Sequence, residues 1–484
     1  MVTESSSNAV YEAGTARVDV TPPVGIRLIG YAVREGVSHS VDEPLTLTAL
    51  ALRSRGTTVV LIALDACIVY ISFARKFREH CAKSIGIPAE HILLNFSHTH
   101  CAPATDGYLD YDTPEQLDLQ GDFRSLLLKR GDEACRKAIE NLQSARLSVG
   151  WGECQANINR RQETEEHGVL LGEDPLGPCD RTVGVIRVDD LSGSPVAVAY
   201  RYSCHTVTVG PKTNVFSPDF VGPSRRLIEG AIGCPSLFLQ GCAGNINPIT
   251  GIGQDGDGDP CLMEDKDRIG HMLGSEVLKV AQSLRTHRRR KDPVLVKSVA
   301  VYWLYEYEDV GPGEPGTIEV NETEMEQPLV PFPSLNEVKA EREAWAEKLK
   351  NAQAKGEREW VLGPLICFDA WAERRLTAAQ QGPNPLTVKF PVQTIRIGDI
   401  QIVALPFETM TETGIELRES LGANTFVLGY SNGMVSYLPT PQISEEGGME
   451  AKLAYQACLL PSELPGDWEP RICEQVKMMF KQMT

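Results

Sequence analysis

Short, nearly unbroken apolar runs recur along the chain, several of them rich in β-branched residues. They lie at Ala49–Leu52, Thr58–Leu64, Ile92–Phe96, Val183–Val188, Pro195–Tyr202, Ser236–Gln240, Val294–Trp303, Val388–Ile397, Ile400–Ala404 and Thr425–Gly429. Runs without polar alternation suit strands buried on both faces. Between them, apolar positions recur at helical spacing over Ile71–Ser84, Gln120–Ala145, Ser224–Ala231, Asp267–Leu284, Leu335–Ala354, Glu412–Ser420 and Glu469–Gln482. Strands alternating with helices predict an α/β fold, a mixed β-sheet core flanked by helices. Asp309–Pro333 is rich in Pro, Gly and Glu, lacks periodicity and reads as a surface loop. Glu337–Arg358 carries opposite charges at i,i+4 and reads as an exposed helix. Strand-like sequence resumes at Val388, so 309–385 is a surface excursion and 1–484 reads as a single domain.

Charge narrows the possible partners. The 484 residues carry 65 Asp+Glu against 47 Lys+Arg, a net charge of −18. Nucleic acid and anionic membrane surfaces both call for a basic patch, so neither is expected as a partner. No run approaches the roughly 20 apolar residues that span a bilayer, so no membrane anchor is expected. The start, Met1 to Asn8, has neither a basic nor an apolar leader segment, which points to a cytoplasmic protein. The 13 cysteines are irregularly spaced without a CxxC pair, so most read as small buried residues in a reducing compartment. The composition permits a homo-oligomer without requiring one.

Candidate chemistry clusters at strand ends. The run Leu93–Phe96 leads directly into Ser97-His98-Thr99-His100-Cys101-Ala102-Pro103. Alternation along an extended segment would put His98 and His100 on one side, and ligand sites in open α/β sheets lie at the carboxyl ends of strands. Two imidazoles there suit Zn²⁺ or Fe²⁺, or else bond to backbone. A second strand ends at His205, and a third at Leu405-Pro406-Phe407-Glu408, where the carboxylate either caps a helix or binds a metal. The Gly-rich exit Gly241–Pro248 has neither Walker nor GxGxxG spacing, so a phosphate or dinucleotide site has no support. Asp255, Asp257 and Asp259 hint at calcium but lack the EF-hand pattern, and read as a solvated loop. Tyr108, Asp110 and Tyr111 are candidates for a pocket wall.

Taken together and in order, these pieces resemble the neutral/alkaline (non-lysosomal) ceramidase family of zinc-dependent amidases. Gly14–Pro23 is similar to its G-x-x-x-x-D-I-T-P-P start, and Ser97–His100 to its T-H-T-H motif. Ala156-Asn157-Ile158-Asn159-Arg160 resembles A-N-I-N-R, Pro406–Met410 resembles G-E-F-T-T-M, and Asn432–Thr440 resembles N-x-Y-x-x-Y-x-T-T. The resemblance runs from about residue 12 to about residue 455. It implies the family's catalytic-domain fold, without its C-terminal immunoglobulin-like domain. It also implies one Zn²⁺, or another divalent ion, held by His98, His205, Glu408 and Tyr437. His100 would be a proton shuttle, and Arg160, Asn247 and Tyr437 would face the developing oxyanion. Asp219 would orient His205 or cap a helix.

One departure bears on the reaction. Where ceramidases carry G-D-V-S-P-N, this chain reads Gly244-Asn245-Ile246-Asn247-Pro248, with Asn247 at the serine position. An amide is not an acyl-accepting nucleophile. The expected activity is therefore metal-assisted hydrolysis of an amide-type C–N bond in a small polar substrate, not standard ceramide cleavage. An ester or lactone substrate, a thiol nucleophile at Cys101 or Cys242, and a non-catalytic binding protein are the competing readings.

Overall fold

Strand Thr46–Ser54 shows how the chain builds its core. Ala49 and Ala51 join one buried cluster while Leu50 and Leu52 join another, so both faces of the strand are covered. The computed structural model describes residues 5–6, 8–105, 112–252, 260–311 and 313–483. Its main sheet runs, edge to edge, Ser236–Gln240, Pro195–Tyr202, Thr182–Asp190, Gln143–Glu153, Tyr11–Asp19, Thr46–Ser54, Thr57–Leu64 and Ile92–Phe96, with Ser5–Ser6 added beside Gln143–Glu153. The centre is antiparallel, but both ends are parallel pairs: Thr57–Leu64 with Ile92–Phe96, and Pro195–Tyr202 with Ser236–Gln240. Parallel neighbours need a crossover. Helices Ile71–Ile85 and Val221–Ile232 supply the two crossovers. The fold is thus a mixed α/β sheet flanked by helices, as the apolar pattern predicts.

A second sheet, Ile318–Pro328, Thr387–Ile397, Ile400–Ala404 and Thr425–Leu428, packs on the far face of the first. Its residues alternate too: Ile402 and Phe426 point to the main sheet, while Val403 and Val427 point to the outer helices Thr411–Leu421 and Trp468–Gln482. The result is four layers, helix, sheet, sheet and helix. Among the described residues, no helix is long and apolar enough to cross a membrane. All described cysteines are free, and all but Cys179 and Cys367 are buried.

Several elements differ from the pattern reading. Ile318–Pro328 is a strand, not a loop. It lies at a sheet edge, where one open side tolerates its Glu and Asn residues. The excursion is therefore only the helical hairpin Leu335–Lys355 and Glu359–Gln381, whose second helix was obscured by the internal Pro364. The helix expected over Gln120–Ala145 spans Pro114–Glu140. Thr113 caps its start by accepting from the Gln116 N–H, and Ala145 already lies in the next strand. Val294–Trp303 is not one strand but a hairpin, Val294–Lys297 with Val301–Leu304. Residues 106–111 and 253–259, with Tyr108, Asp110, Tyr111 and the Asp255–Asp259 run, lie outside the described residues.

One ion pair ties the layers together. Arg201 of the main sheet donates to Asp180 at 2.6 Å, both side chains are almost fully buried, and Arg418 from the outer helix reaches the same carboxylate at 3.3 Å. Burial pushes the Asp180 carboxyl up, but Arg201, Arg418 and the Thr182 hydroxyl outweigh it and hold the group at about 2. Because the folded value is depressed, the stability it brings is full above about pH 4 and is lost as pH falls through about 2. Asp180→Asn leaves Arg201 uncompensated and should cost about 3–5 kcal/mol at pH 7. The difference between variant and wild type in urea unfolding should shrink steadily between pH 4 and pH 2.

Candidate metal centre

The two parallel ends of the main sheet do not stay apart. Asn95, fully buried in strand Ile92–Phe96, donates to the Gln240 carbonyl at 3.2 Å and accepts from the Gln240 N–H at 2.7 Å. Its amide also donates to Gly429 O and Ser431 Oγ. The Gln240 side chain then donates to the carbonyls of Ser97 and Cys204, at 3.0 and 2.8 Å. These are the residues immediately before His98 and His205. Two buried amides therefore fix both histidine-bearing strand ends against each other. On the other side of strand Ile92–Phe96, residues 430–432 continue the hydrogen-bonding pattern through Phe96 N to Tyr430 O and Asn432 N to Leu94 O. Glu408 and Tyr437 are register partners in a short parallel pair beneath this turn.

His98, His205 and Glu408 converge on one point. Nε2 of His98 lies 3.3 Å from Glu408 Oε2, and Nε2 of His205 lies 3.2 Å from it. The other ring nitrogens are engaged: His98 Nδ1 with Cys67 O at 2.7 Å, and His205 Nδ1 with Ala243 O at 2.6 Å. A carbonyl only accepts, so both Nδ1 atoms carry the proton and both Nε2 atoms present lone pairs. Two lone pairs and a carboxylate oxygen facing one another repel unless a cation, a proton or a metal ion, lies between them. Nε2 of His205 makes no well-formed hydrogen bond of its own. The three residues are all buried, and their donor atoms lie within 4.8 Å of one another. This is an imidazole–imidazole–carboxylate set that suits a divalent ion such as Zn²⁺.

The electrostatics follow from burial. Burial, reinforced by the Arg160 charge, pushes His205 down to about 4, although Glu408 pulls the other way. Burial would raise Glu408, but the charge that His98 and His205 carry when protonated outweighs it and holds the carboxyl well below its usual range. Burial and the facing Glu408 carboxylate push the Tyr437 phenol well above its ordinary value. Burial and the neighbouring imidazoles hold His100 well below the imidazole range.

The remaining predicted residues surround this point. His100 Nε2 is 3.1 Å from His98 Nε2, and its Nδ1 is buried with no partner. His98 and His100 meet by a turn rather than by strand alternation, because His98 has φ 60°. The His100 ring packs against Gly30, where a Cβ would come within 2.4 Å of it, and against Tyr31 edge-on at 4.7 Å. Arg160 donates to Tyr437 Oη at 3.1 Å and to Asn247 Oδ1 at 3.3 Å. Arg160 has no acceptor, so the amide oxygen of Asn247 must face it and the NH₂ group turns away.

Two expectations are corrected. Asp219 does not orient His205, whose Nδ1 goes to Ala243 O. It instead accepts from Thr208 Oγ1 and the Val209 and Phe220 N–H groups, fixing the segment after His205. The thiols of Cys101 and Cys242 are both fully buried, and burial pushes each up to about 12. Both stay protonated at neutral pH, which sets the thiol reading aside. Residues that sequence reasoning missed include Glu450, which holds Arg160 at 3.2 Å and Arg161 at 2.8 Å. Tyr430, which reaches Glu408 at 3.3 Å, and the Asn95–Gln240 amides were missed as well. The signal for the amides was a polar residue inside an otherwise apolar strand.

Replacing Asn95 by Leu strands the Gln240 N–H in the core and takes a donor from the Gln240 and Gly429 carbonyls, the latter still held by the Ser431 hydroxyl. At about 1–3 kcal/mol per unsatisfied buried group, the expected loss is about 3–5 kcal/mol in chemical unfolding.

No family model matches the chain. Neutral ceramidase A of Dictyostelium discoideum is 25% identical over 284 residues, which cover 53% of this chain and 38% of that protein. The neutral ceramidase of Drosophila melanogaster is 24% identical over 242 residues, 46% of this chain and 32% of that protein. The match thus spans well under half the length of either relative. The crystal structure of neutral ceramidase from Pseudomonas aeruginosa superposes with a TM-score of 0.66 at 16% identity, covering 97% of this chain and 74% of that one. At that identity the structural likeness is one of fold. Sequence similarity over about half of the chain and a shared fold over nearly all of it make this protein neutral-ceramidase-like.

Proposed function

We propose that the chain is a metal-dependent hydrolase of an amide-type C–N bond, with His98, His205, Glu408 and Tyr437 holding one divalent ion, zinc by the donor set. The observation that carries this reading is the convergence of two Nε2 lone pairs and the Glu408 carboxylate on one buried point. When bound, such an ion supplies Lewis acidity, which polarises a carbonyl and acidifies water. The chain's own residues do the rest. Arg160 and the Asn247 NH₂ offer donors to an oxygen that gains negative charge when the carbonyl carbon becomes tetrahedral. Tyr437, bonded to Arg160, stands beside them. Glu450 keeps the Arg160 guanidinium in place. The attacking water gives up a proton and the nitrogen leaving group takes one, and His100, neutral and with one ring nitrogen unpartnered, is the group that carries it from one to the other.

The amide side chain at Asn247 supports a substrate other than ceramide. Nucleophilic catalysis by a serine has no residue to run on in this loop, so water is the nucleophile and the pocket wall is polar. A compact polar amide fits these donors.

Elemental mass spectrometry of the purified protein tests the site. Wild type should carry about one zinc per chain, and His205→Ala and Glu408→Gln should carry none while keeping the wild-type circular dichroism. Protein that binds no divalent ion even after dialysis against zinc would sink this reading. With metal retained, Arg160→Met should lower kcat on a responsive amide by about 10²–10³, and Glu450→Gln by less. His100→Ala should suppress amide turnover and spare a matched ester. If it impairs both equally, the proton role assigned to His100 fails.

A further inference from the structure

Residues 288–309 form a β-arm with no core beneath it. Arg288–Arg290 pairs with Tyr307–Asp309 at its base, and Val294–Lys297 pairs with Val301–Leu304 at its outer end. From 288 to 307 every residue except Val296 is exposed. The outer half, Pro293 to Tyr305, carries one charge, Lys297. Successive strand residues point to opposite faces. Tyr302 is 51% exposed and Trp303 is 54% exposed, so both faces of the ribbon are bare. Ordinary surface hairpins bury one face.

This arrangement is costly for a lone chain. A two-stranded ribbon is marginally stable by itself, and contiguous apolar patches of this size are rare on monomers. Counting aromatic side chains of 150–250 Å² at about half exposure with the exposed valines and leucines, the two faces of the arm together expose roughly 900 Å².

Lipid is a poor occupant. Both long edges of the ribbon are open, because each of its sheets has only two strands. A bilayer cannot satisfy the unpaired backbone groups of such edges, whereas a strand from another protein can. The edge is also compatible with itself. Antiparallel pairing about a two-fold axis at Trp303 sets 301 opposite 305, 302 opposite 304 and 300 opposite 306 of the second copy. Val301 then meets Tyr305 and Tyr302 meets Leu304, Glu306 falls opposite Ala300, and no like charges face each other. At the base, Arg288 pairs with Asp309 at 2.9 Å, Lys291 with Glu306 at 3.3 Å, and Arg289 with Glu308, so the charges there are balanced within one arm.

We propose that the 288–309 arm is a dimerisation element that pairs with the same arm of a second copy of this chain through the Val301–Tyr305 edge. The inference is independent of the metal centre.

Sedimentation velocity of the full chain at micromolar concentration tests it. Wild type should sediment at twice the chain mass. Val301→Glu and Trp303→Glu, at exposed positions with no core to disturb, should weaken association at least about 100-fold with unchanged circular dichroism and metal content. A monomeric wild type overturns the proposal, as does a dimer that survives both substitutions. Arm-dependent flotation of a monomer with phosphatidylcholine vesicles overturns it too, and assigns the arm to lipid instead.

Discussion

The amide bridge between Asn95 and Gln240 is the constraint on which the site depends. A sheet with two parallel ends would ordinarily leave two buried edges to cover. Here one edge strand binds the other through a side chain rather than through a ladder. Asn95 takes both backbone groups of Gln240, and Gln240 takes the carbonyls of Ser97 and Cys204. Each bond is modest in isolation, but every group involved is buried, so leaving any of them unpaired is expensive. The two histidines are held together by the closure of the sheet itself, before any ion is considered.

The second constraint is electrostatic. Three acceptor atoms face one another in a dry site, and the tautomer of each histidine is set by a backbone carbonyl behind it. Such an arrangement stores repulsion that a bound cation relieves. Around it Glu450, Arg160 and Arg161 form a connected network. Glu450 bridges Arg160 and Arg161, and Arg160 in turn fixes Tyr437 and Asn247. Two successive hydrogen-bond links, Glu450 to Arg160 and Arg160 to Tyr437 and Asn247, limit how far these side chains can drift.

Much of this was legible in the sequence. His98, His205 and Glu408 each follow a strongly apolar run, and the rule that ligands gather at strand ends brings them together without any coordinates. The four-layer arrangement was less legible. Ile318–Pro328 reads as loop because an edge strand can carry charge, and Glu359–Gln381 was given no element because a proline interrupts its pattern. The means by which His98 meets His100 was not legible at all. A left-handed residue followed by a turn replaces the expected alternation, and only glycine or asparagine would have announced that conformation. Glu450 was hidden for another reason. It sits about 290 positions from Arg160, and nothing local marks it as the partner of a buried guanidinium.

The loop Gly244–Pro248 shows how two like residues divide structural and chemical work. Asn245 turns outward: its oxygen accepts from the Thr411 N–H and its NH₂ meets Glu412, tying the loop to the start of an outer helix. Asn247 turns inward, paired through its oxygen to Arg160. The turn at 244–245 makes the division: Asn245 lies outside the short strand Ile246–Pro248, so the alternation that would put residues two apart on one face does not apply to it. A serine at 247 would reach less far and would leave Arg160 one acceptor short. An asparagine there completes the guanidinium's partners and leaves two N–H donors free of it. On the proposed function, the exchange from hydroxyl to amide changes the role of the position, from a group that could attack a carbonyl to one that can only hold its oxygen.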